Sequence, residues 1–243
     1  MSGHSKWATT KHKKAIIDSK RAKVFTKAAK LITIAARDGK SGDVAMNPGL
    51  RIAIDNAKAV SMPKDNIDRA IKKGLGGLDG GAALEEILYE VYGPAGIGIM
   101  VECLTDSKNR ALGEIRAVLN KKGGTLASAG SVNYLFKKVG QIIIDESKNS
   151  LKGEEMEMAI IDSGAIDFSI DDGLVIVTCG FGDINSVKSN LEASGVIVES
   201  AEAIQLATVY NDVPTDKVEA IEILLESLDD LDDVNNVYSN ANL

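Results

Sequence analysis

Ten cationic side chains crowd the start of this chain: Lys6, Lys11, Lys13, Lys14, Lys20, Arg21, Lys23, Lys27, Lys30 and Arg37. Side chains of this type neutralise phosphates and release condensed counterions, so a row of them grips a nucleic-acid backbone without reading its sequence. Trp7 is the only tryptophan and lies between Lys6 and Lys11. Its indole can stack on an unpaired base or fold back against the chain. His4 and His12 are the only histidines. They can donate to phosphate or stack, but they have no neighbouring His or Cys to complete a zinc site. These thirteen residues are the candidate nucleic-acid contacts.

Charge is strongly segregated. Residues 1–73 carry 13 lysines and four arginines against six aspartates and no glutamate, a net charge of +11. Residues 74–243 carry 11 basic and 29 acidic side chains, a net charge of −18. The overall −7 hides a basic head on an acidic body. A head of one sign steers a polyanion towards itself, while the body stays soluble and self-repelling.

The elements that must position the cations can be read from the pattern. Residues 1–17 form a basic arm. A helix starts near Asp18 or Ser19 and stops at Asp38 before Gly39. On it Lys20, Lys23, Lys27, Lys30 and Arg37 share an arc of roughly 100°. Val24, Phe25, Ala28, Ala29, Leu31, Ile32, Ala35 and Ala36 take the other side. Asn47-Pro48 opens a second helix and Pro63 a third, so 18–76 reads as a basic helical domain. Five glycines in GLGGLDGG (74–81) mark a linker.

Beyond the linker the period becomes strand-like. Strands at 87–93 and 97–105, a helix to Lys122, strands at 131–136 and 140–146, and a helix at 153–163 follow. A hairpin turning at Asp172-Gly173, a helix at 183–194 and strands at 196–202 and 205–210 come next. A helix from Thr215 to about Leu228 and a strand at 234–239 end the chain. Residues 82–130 make an unfinished sheet, and the tail can complete it. The fold class expected is therefore α+β: an N-terminal three-helix domain, then two α/β domains with antiparallel sheets, the third inserted in the second. The expected divisions are 82–130 with 205–243, and 131–204 in a ferredoxin-like pattern.

Catalytic signals fail on inspection. GPAGIG (93–98) leads into a strand and lacks the helix N-terminus that would hold phosphate, so it reads as a hairpin loop. Both histidines lie in the arm, away from any Ser or Cys partner. Asp229, Asp230, Asp232 and Asp233 read as a solvated acidic helix end. Cys103 and Cys179 have no disulfide or metal spacing, which suits a reducing compartment. No apolar run is long enough to cross a bilayer. The chain is read as a cytoplasmic monomer and not an enzyme. No cofactor, metal, small-molecule substrate or membrane partner is expected.

The strings SGHSKWATTKHKKAIIDSKRAKVFTKAAKLI, NPGLRIAIDNAKAVSMPKDNIDRAIKKG, YEVYGPAGIGIMVECLTDSKNRALGEIR, KKGGTLASAGSVNYLF and LESLDDLDDVNNVYSN resemble the YebC/PmpR family, which includes the mitochondrial translational activator of cytochrome c oxidase. The resemblance spans nearly the whole chain. Gly49 stands where the family carries a larger or basic residue, and Asn133 where alanine is common. With the motif beginning at Ser2 and no presequence, the chain looks like a bacterial member. The resemblance implies three domains, the second interrupted by the third. It also implies a DNA-binding transcriptional regulator, or a ribosome-associated translation factor that binds rRNA and tRNA and relieves stalling at sequences such as consecutive prolines. An RNA-processing enzyme is a remote third reading, for want of a catalytic set. The acidic body and the lack of a base-reading helix-turn-helix pair lean towards RNA. The family's usual description leans towards DNA.

Overall fold

The computed structural model describes residues 21–76 and 84–243. The basic arm, and residues 77–81 of the glycine-rich run, lie outside them. The described residues cluster into two compact units. One is formed by 84–137 with 205–243 and also takes in 21–23; the other is formed by 24–76 with 138–204.

In the first unit, β1 (Glu85–Tyr92) and β2 (Gly98–Thr105) form an antiparallel hairpin. GPAGIG is its loop, a 3-10 turn in which Ala95 takes the left-handed φ of 59°. β3 (Thr125–Leu126) pairs with β1, and β9 (Val234–Ser239) returns from the tail to pair antiparallel with β2. The sheet order is β3-β1-β2-β9. Helices α4 (Lys108–Lys122) and α7 (Thr215–Asp229) cover one face. Ile99, Val101 and Cys103 point to that face by strand alternation and pack with Ile115, Leu119, Ile221, Leu224, Leu225 and Leu228. Met100 points the other way, into a smaller cluster with Val132, Phe136 and Ala207. β8 (Asn211–Asp212) and β10 (Ala241–Asn242) form a short parallel pair.

The tail is pinned by a buried charge. Asp233 accepts from Arg110 Nε and Nη2, both at 2.9 Å, and from the Thr105 hydroxyl at 3.0 Å. Its own carbonyl accepts from the Leu104 N–H. Asp233 is therefore no part of a solvated acidic helix end. Bidentate pairing with Arg110, itself held by Asp106 at 3.0 Å, is what lets this carboxylate leave water.

The second unit holds β4 (Phe136–Asp145), α5 (Glu154–Asp162), β5 (Asp167–Asp171), β6 (Leu174–Gly180), α6 (Ile184–Ala193) and β7 (Ser200–Ala207), with sheet order β5-β6-β4-β7. This is β-α-β-β-α-β connectivity in a split arrangement. The chain leaves the first unit within β4 and returns within β7. Asp172 and Gly173 both have positive φ, 47° and 79°, as a two-residue hairpin turn requires.

Two strand expectations are corrected. Residues 131–136 do not form a strand; they make a 3-10 turn at Asn133–Leu135, and β4 begins at Phe136. The cause is Glu90, buried on β1, whose carboxylate accepts the backbone N–H groups of Gly130 (2.6 Å), Val132 (2.6 Å) and Asn133 (2.9 Å). Donors gathered on one carboxylate cannot also serve a ladder. Likewise 196–202 and 205–210 are not two strands. β7 is one strand that starts at Ser200, because the Asn149 side chain takes both the N–H (2.6 Å) and the C=O (3.1 Å) of Ile197.

Burial raises the Glu90 pKa, but the three backbone donors outweigh it and hold the carboxyl below the ordinary glutamate range. A depressed folded-state pKa adds stability that is complete above the unfolded-state pKa and is lost as pH falls through the folded one. Glu90→Gln should therefore cost about 1–3 kcal/mol at neutral pH. The deficit should shrink on acidification below the normal glutamate range. Urea unfolding of both proteins at neutral and acid pH checks this. A deficit that is constant with pH would show that the charge plays no part.

Candidate nucleic-acid interface

The basic head is built from α1 (Arg21–Asp38), α2 (Pro48–Ala59) and α3 (Lys64–Gly74). Its core is Ile32, Ala36, Leu50, Ile54, Ala57, Met62, Ile67 and Ala70, with Phe25, Ala28, Ala29 and Ala35 packed against it. The apolar stripe of α1 thus faces the other two helices. Thr33 joins α1 to α3 by donating to the Ala70 carbonyl at 3.2 Å. Gly74 lies so close to the Thr33 backbone and Ala36 that a side chain there would collide.

Asn47 ties the head together. Its Oδ1 caps α2 by accepting the Leu50 N–H at 3.0 Å. Its Nδ2 donates to the carbonyls of Ala35 (2.8 Å) and Ser41 (3.1 Å). One buried amide therefore ends α1, shapes the connection and starts α2. Pro48 follows at the first helical position, where a missing N–H costs nothing.

α2 has a second face. Asn56 exchanges two hydrogen bonds with the backbone of Ala201, at 2.7 and 3.2 Å. Asp55 pairs with the buried Lys188 of α6, and Ile52 packs against the core beneath β4 and β6. The head is docked on the split β-α-β unit through these contacts.

His4, Lys6, Trp7, Lys11, His12, Lys13, Lys14 and Lys20 lie outside the described residues. Arg21 is the first residue of α1. Lys23 is partly buried and pairs with Asp230, Nζ to Oδ1 3.3 Å. Lys27 and Lys30 are half-buried. Arg37, in the last turn of α1, donates from Nε to Asp38 at 2.8 Å. The structure thus brings Lys23, Lys27, Lys30 and Arg37 onto one helix, and places them in partly covered surroundings.

The cations that stand exposed among the described residues of the head are elsewhere: Lys40 after α1, Lys58 on α2, and Lys64, Arg69, Lys72 and Lys73 on α3. Arg51 is also exposed, with its guanidinium on the Val44 carbonyl at 3.0 and 3.2 Å. Helical periodicity applied to α1 alone misses them. The charge count over 1–73 already contains them, and the same projection of α3 turns Arg69 and Lys72 away from Ile67 and Ala70 and sets Lys64 and Lys73 at the margins of that face.

Neither cysteine offers a nucleophile. Both thiols are buried, and burial, with Asp183 nearby, pushes Cys179 up to about 11. Among the described residues no three His, Cys, Asp or Glu gather to hold a metal ion. Among them, too, no helix is long and apolar enough to cross a membrane.

Comparison with known proteins adds to this geometry. Residues 5–77 match the model of the TACO1/YebC protein N-terminal domain, and residues 84–241 match that of the TACO1/YebC second and third domain. A "probable transcriptional regulatory protein" of Kineococcus radiotolerans is 46% identical over 99% of this chain and 94% of its own length. One from Caldanaerobacter subterraneus is 45% identical over 100% and 99%. A crystal structure of a conserved hypothetical protein from Aquifex aeolicus superposes with a TM-score of 0.87 at 36% identity, covering 93% of this chain and 92% of that one.

Removing Asn47 tests how the head is held. Asn47→Ala deletes the α2 cap and leaves the Ala35 carbonyl without this donor, a loss of about 2 kcal/mol. Amide hydrogen exchange should accelerate in α1 and α2. Unaltered exchange there would show that the cap is dispensable.

Proposed function

Because the chain belongs to the TACO1/YebC family, whose curated relatives are named as transcriptional regulators, we propose that it is a non-enzymatic, nucleic-acid-binding regulator of gene expression acting in the cytoplasm. The observation that carries this reading is the charge segregation, +11 over 1–73 against −18 over the rest. The head grips phosphates through Lys6, Lys11, Lys13, Lys14, Lys20, Arg21 and the cations of α1, and the exposed lysines and arginine of α3 widen the contact. Phosphate contacts of this kind fix position and supply affinity, and they confer little sequence preference. The excess carboxylates of the body keep a polyanion from lying along most of it, so the main footprint is the head.

A second reading rests on that same acidity. A factor that inserts a basic head among ribosomal RNA and leaves an acidic body in solvent needs no long contact along a duplex. Sedimentation of the native protein through a sucrose gradient separates the two. Co-migration with ribosomal particles that RNase abolishes supports the RNA target; protein confined to the top of the gradient supports promoter DNA.

Both readings share one prediction. Charge reversal at Lys13, Lys20 and Lys27 should weaken binding to any nucleic acid. The slope of log K against log salt on duplex DNA should flatten by roughly 3. Anisotropy titrations at several salt concentrations measure this. An unchanged slope removes these lysines from the interface.

A further inference from the structure

The 11 basic side chains beyond residue 74 fall into two groups. Lys108 pairs with Glu85 at 2.6 Å, Arg110 with Asp233, Lys148 with Glu199 at 2.6 Å, Lys188 with Asp55 and Lys217 with Asp216 at 3.6 Å. Lys152 donates to the Glu146 carbonyl. Arg116, Lys121, Lys122, Lys137 and Lys138 belong to none of these pairs. Lys138 sits over the Phe181 ring, 4.4 Å from its centroid. Three of the other four, Lys121, Lys122 and Lys137, fall in one stretch, 121–137, which contains no acidic residue within a body of net charge −18. Like-charged side chains concentrated in this way on an oppositely charged body form a local polyanion site.

The fold holds this stretch in a defined shape. α4 ends at Gly123 in the left-handed conformation, leaving Lys121 and Lys122 exposed in its last turn. Lysines there also complement the helix dipole, a common arrangement. These two differ from an ordinary helix end in the edge strand and fixed turn that continue from them. β3 is the edge strand of its sheet, and Thr125 pairs with Tyr92. The Tyr92 hydroxyl donates to the Ser131 carbonyl at 2.9 Å, and the Glu90 carboxylate gathers the N–H groups of Gly130, Val132 and Asn133. The end of α4, β3 and the turn at 133–135 therefore lie along one sheet edge. Around that turn Val132 and Phe136 are buried anchors, while Tyr134 between them is 72% exposed, and Lys137 follows on the surface. The negative charge of Glu90 is buried against the loop's own amides and does not neutralise the lysines.

We propose that 121–137 is a second nucleic-acid contact, specific for a single-stranded segment. Lys121, Lys122 and Lys137 meet its phosphates, and the Tyr134 ring stacks on an unpaired base. A ring raised on a fixed turn needs a free base face, which a duplex interior does not present. This site rests on the reading of the protein as a nucleic-acid binder, and it places a contact on the body that the basic head does not supply.

The test uses the full chain and fluorescein-labelled mixed-sequence 20-mers, one single-stranded RNA and one duplex, titrated by anisotropy at several salt concentrations. Tyr134→Ala should weaken single-strand binding about tenfold, with an unchanged salt slope, and leave duplex binding as it was. Tyr134→Phe should restore the affinity. Lys121→Gln with Lys122→Gln and Lys137→Gln should flatten the single-strand slope by about 2. All four positions are exposed, so each variant should keep the parental melting temperature. If these variants bind as the parent does while Lys27→Glu weakens binding, the head acts alone and the second contact is overturned. If Tyr134→Ala weakens duplex and single strand equally, base stacking is overturned. If the parental chain binds neither oligonucleotide, the nucleic-acid reading fails, and this site with it.

Discussion

The sheet of the first unit cannot be finished by neighbouring sequence. The β1–β2 hairpin leaves the far side of β2 open, and β9 closes it from more than 130 residues further on (Val101 opposite Val237). Everything between, from β4 to β7, is chain that must leave and come back. The return is secured just before its first residue: Asp233, buried and held by Arg110 and Thr105, fixes where β9 begins. A carboxylate taken out of water in this way is stabilising only with its partners in place, so the pair selects one register for the tail. α7, delivered with β9, then closes the core over Ile99, Val101 and Cys103.

Much of this architecture is legible in the sequence, and for physical reasons. The hairpin of β1 and β2, the β9 strand and the α2 helix carry their own local signals: apolar alternation, a Gly-Pro loop, an Asn-Pro start. An unfinished sheet at 82–130 and spare strand and helix patterns in the tail demand each other, which makes the interruption readable. The departures come from side chains acting on distant backbone. SVNYLF has the composition of a strand, but Glu90, forty residues earlier, claims its amides. Residues 196–202 have the pattern of a strand too, but Asn149 occupies the Ile197 backbone and delays β7 to Ser200. Neither contact has a periodicity to detect.

The interface is legible as charge and less so as geometry. The excess of cations over 1–73 follows from counting. Which of them face solvent does not, because an amphipathic projection assumes that only the apolar face of a helix is covered. On α1 that assumption breaks: Ile34 lies among Lys23, Lys27, Lys30 and Arg37 on the polar side and is nonetheless buried. α3, with two buried residues and a basic last turn, obeys the projection better.

α2 belongs to two cores at once. Leu50, Ile54 and Ala57 complete the helical head, while Ile52, Asp55 and Asn56 engage the split β-α-β unit. A helix shared in this way couples the melting of both parts, because neither can lose α2 without exposing apolar surface in the other. By mass action, any ligand that grips the folded head lowers the population of states in which α2 has detached. Occupancy at the head is therefore felt as added cooperativity of unfolding in the β-α-β unit, with no change of shape required to carry it.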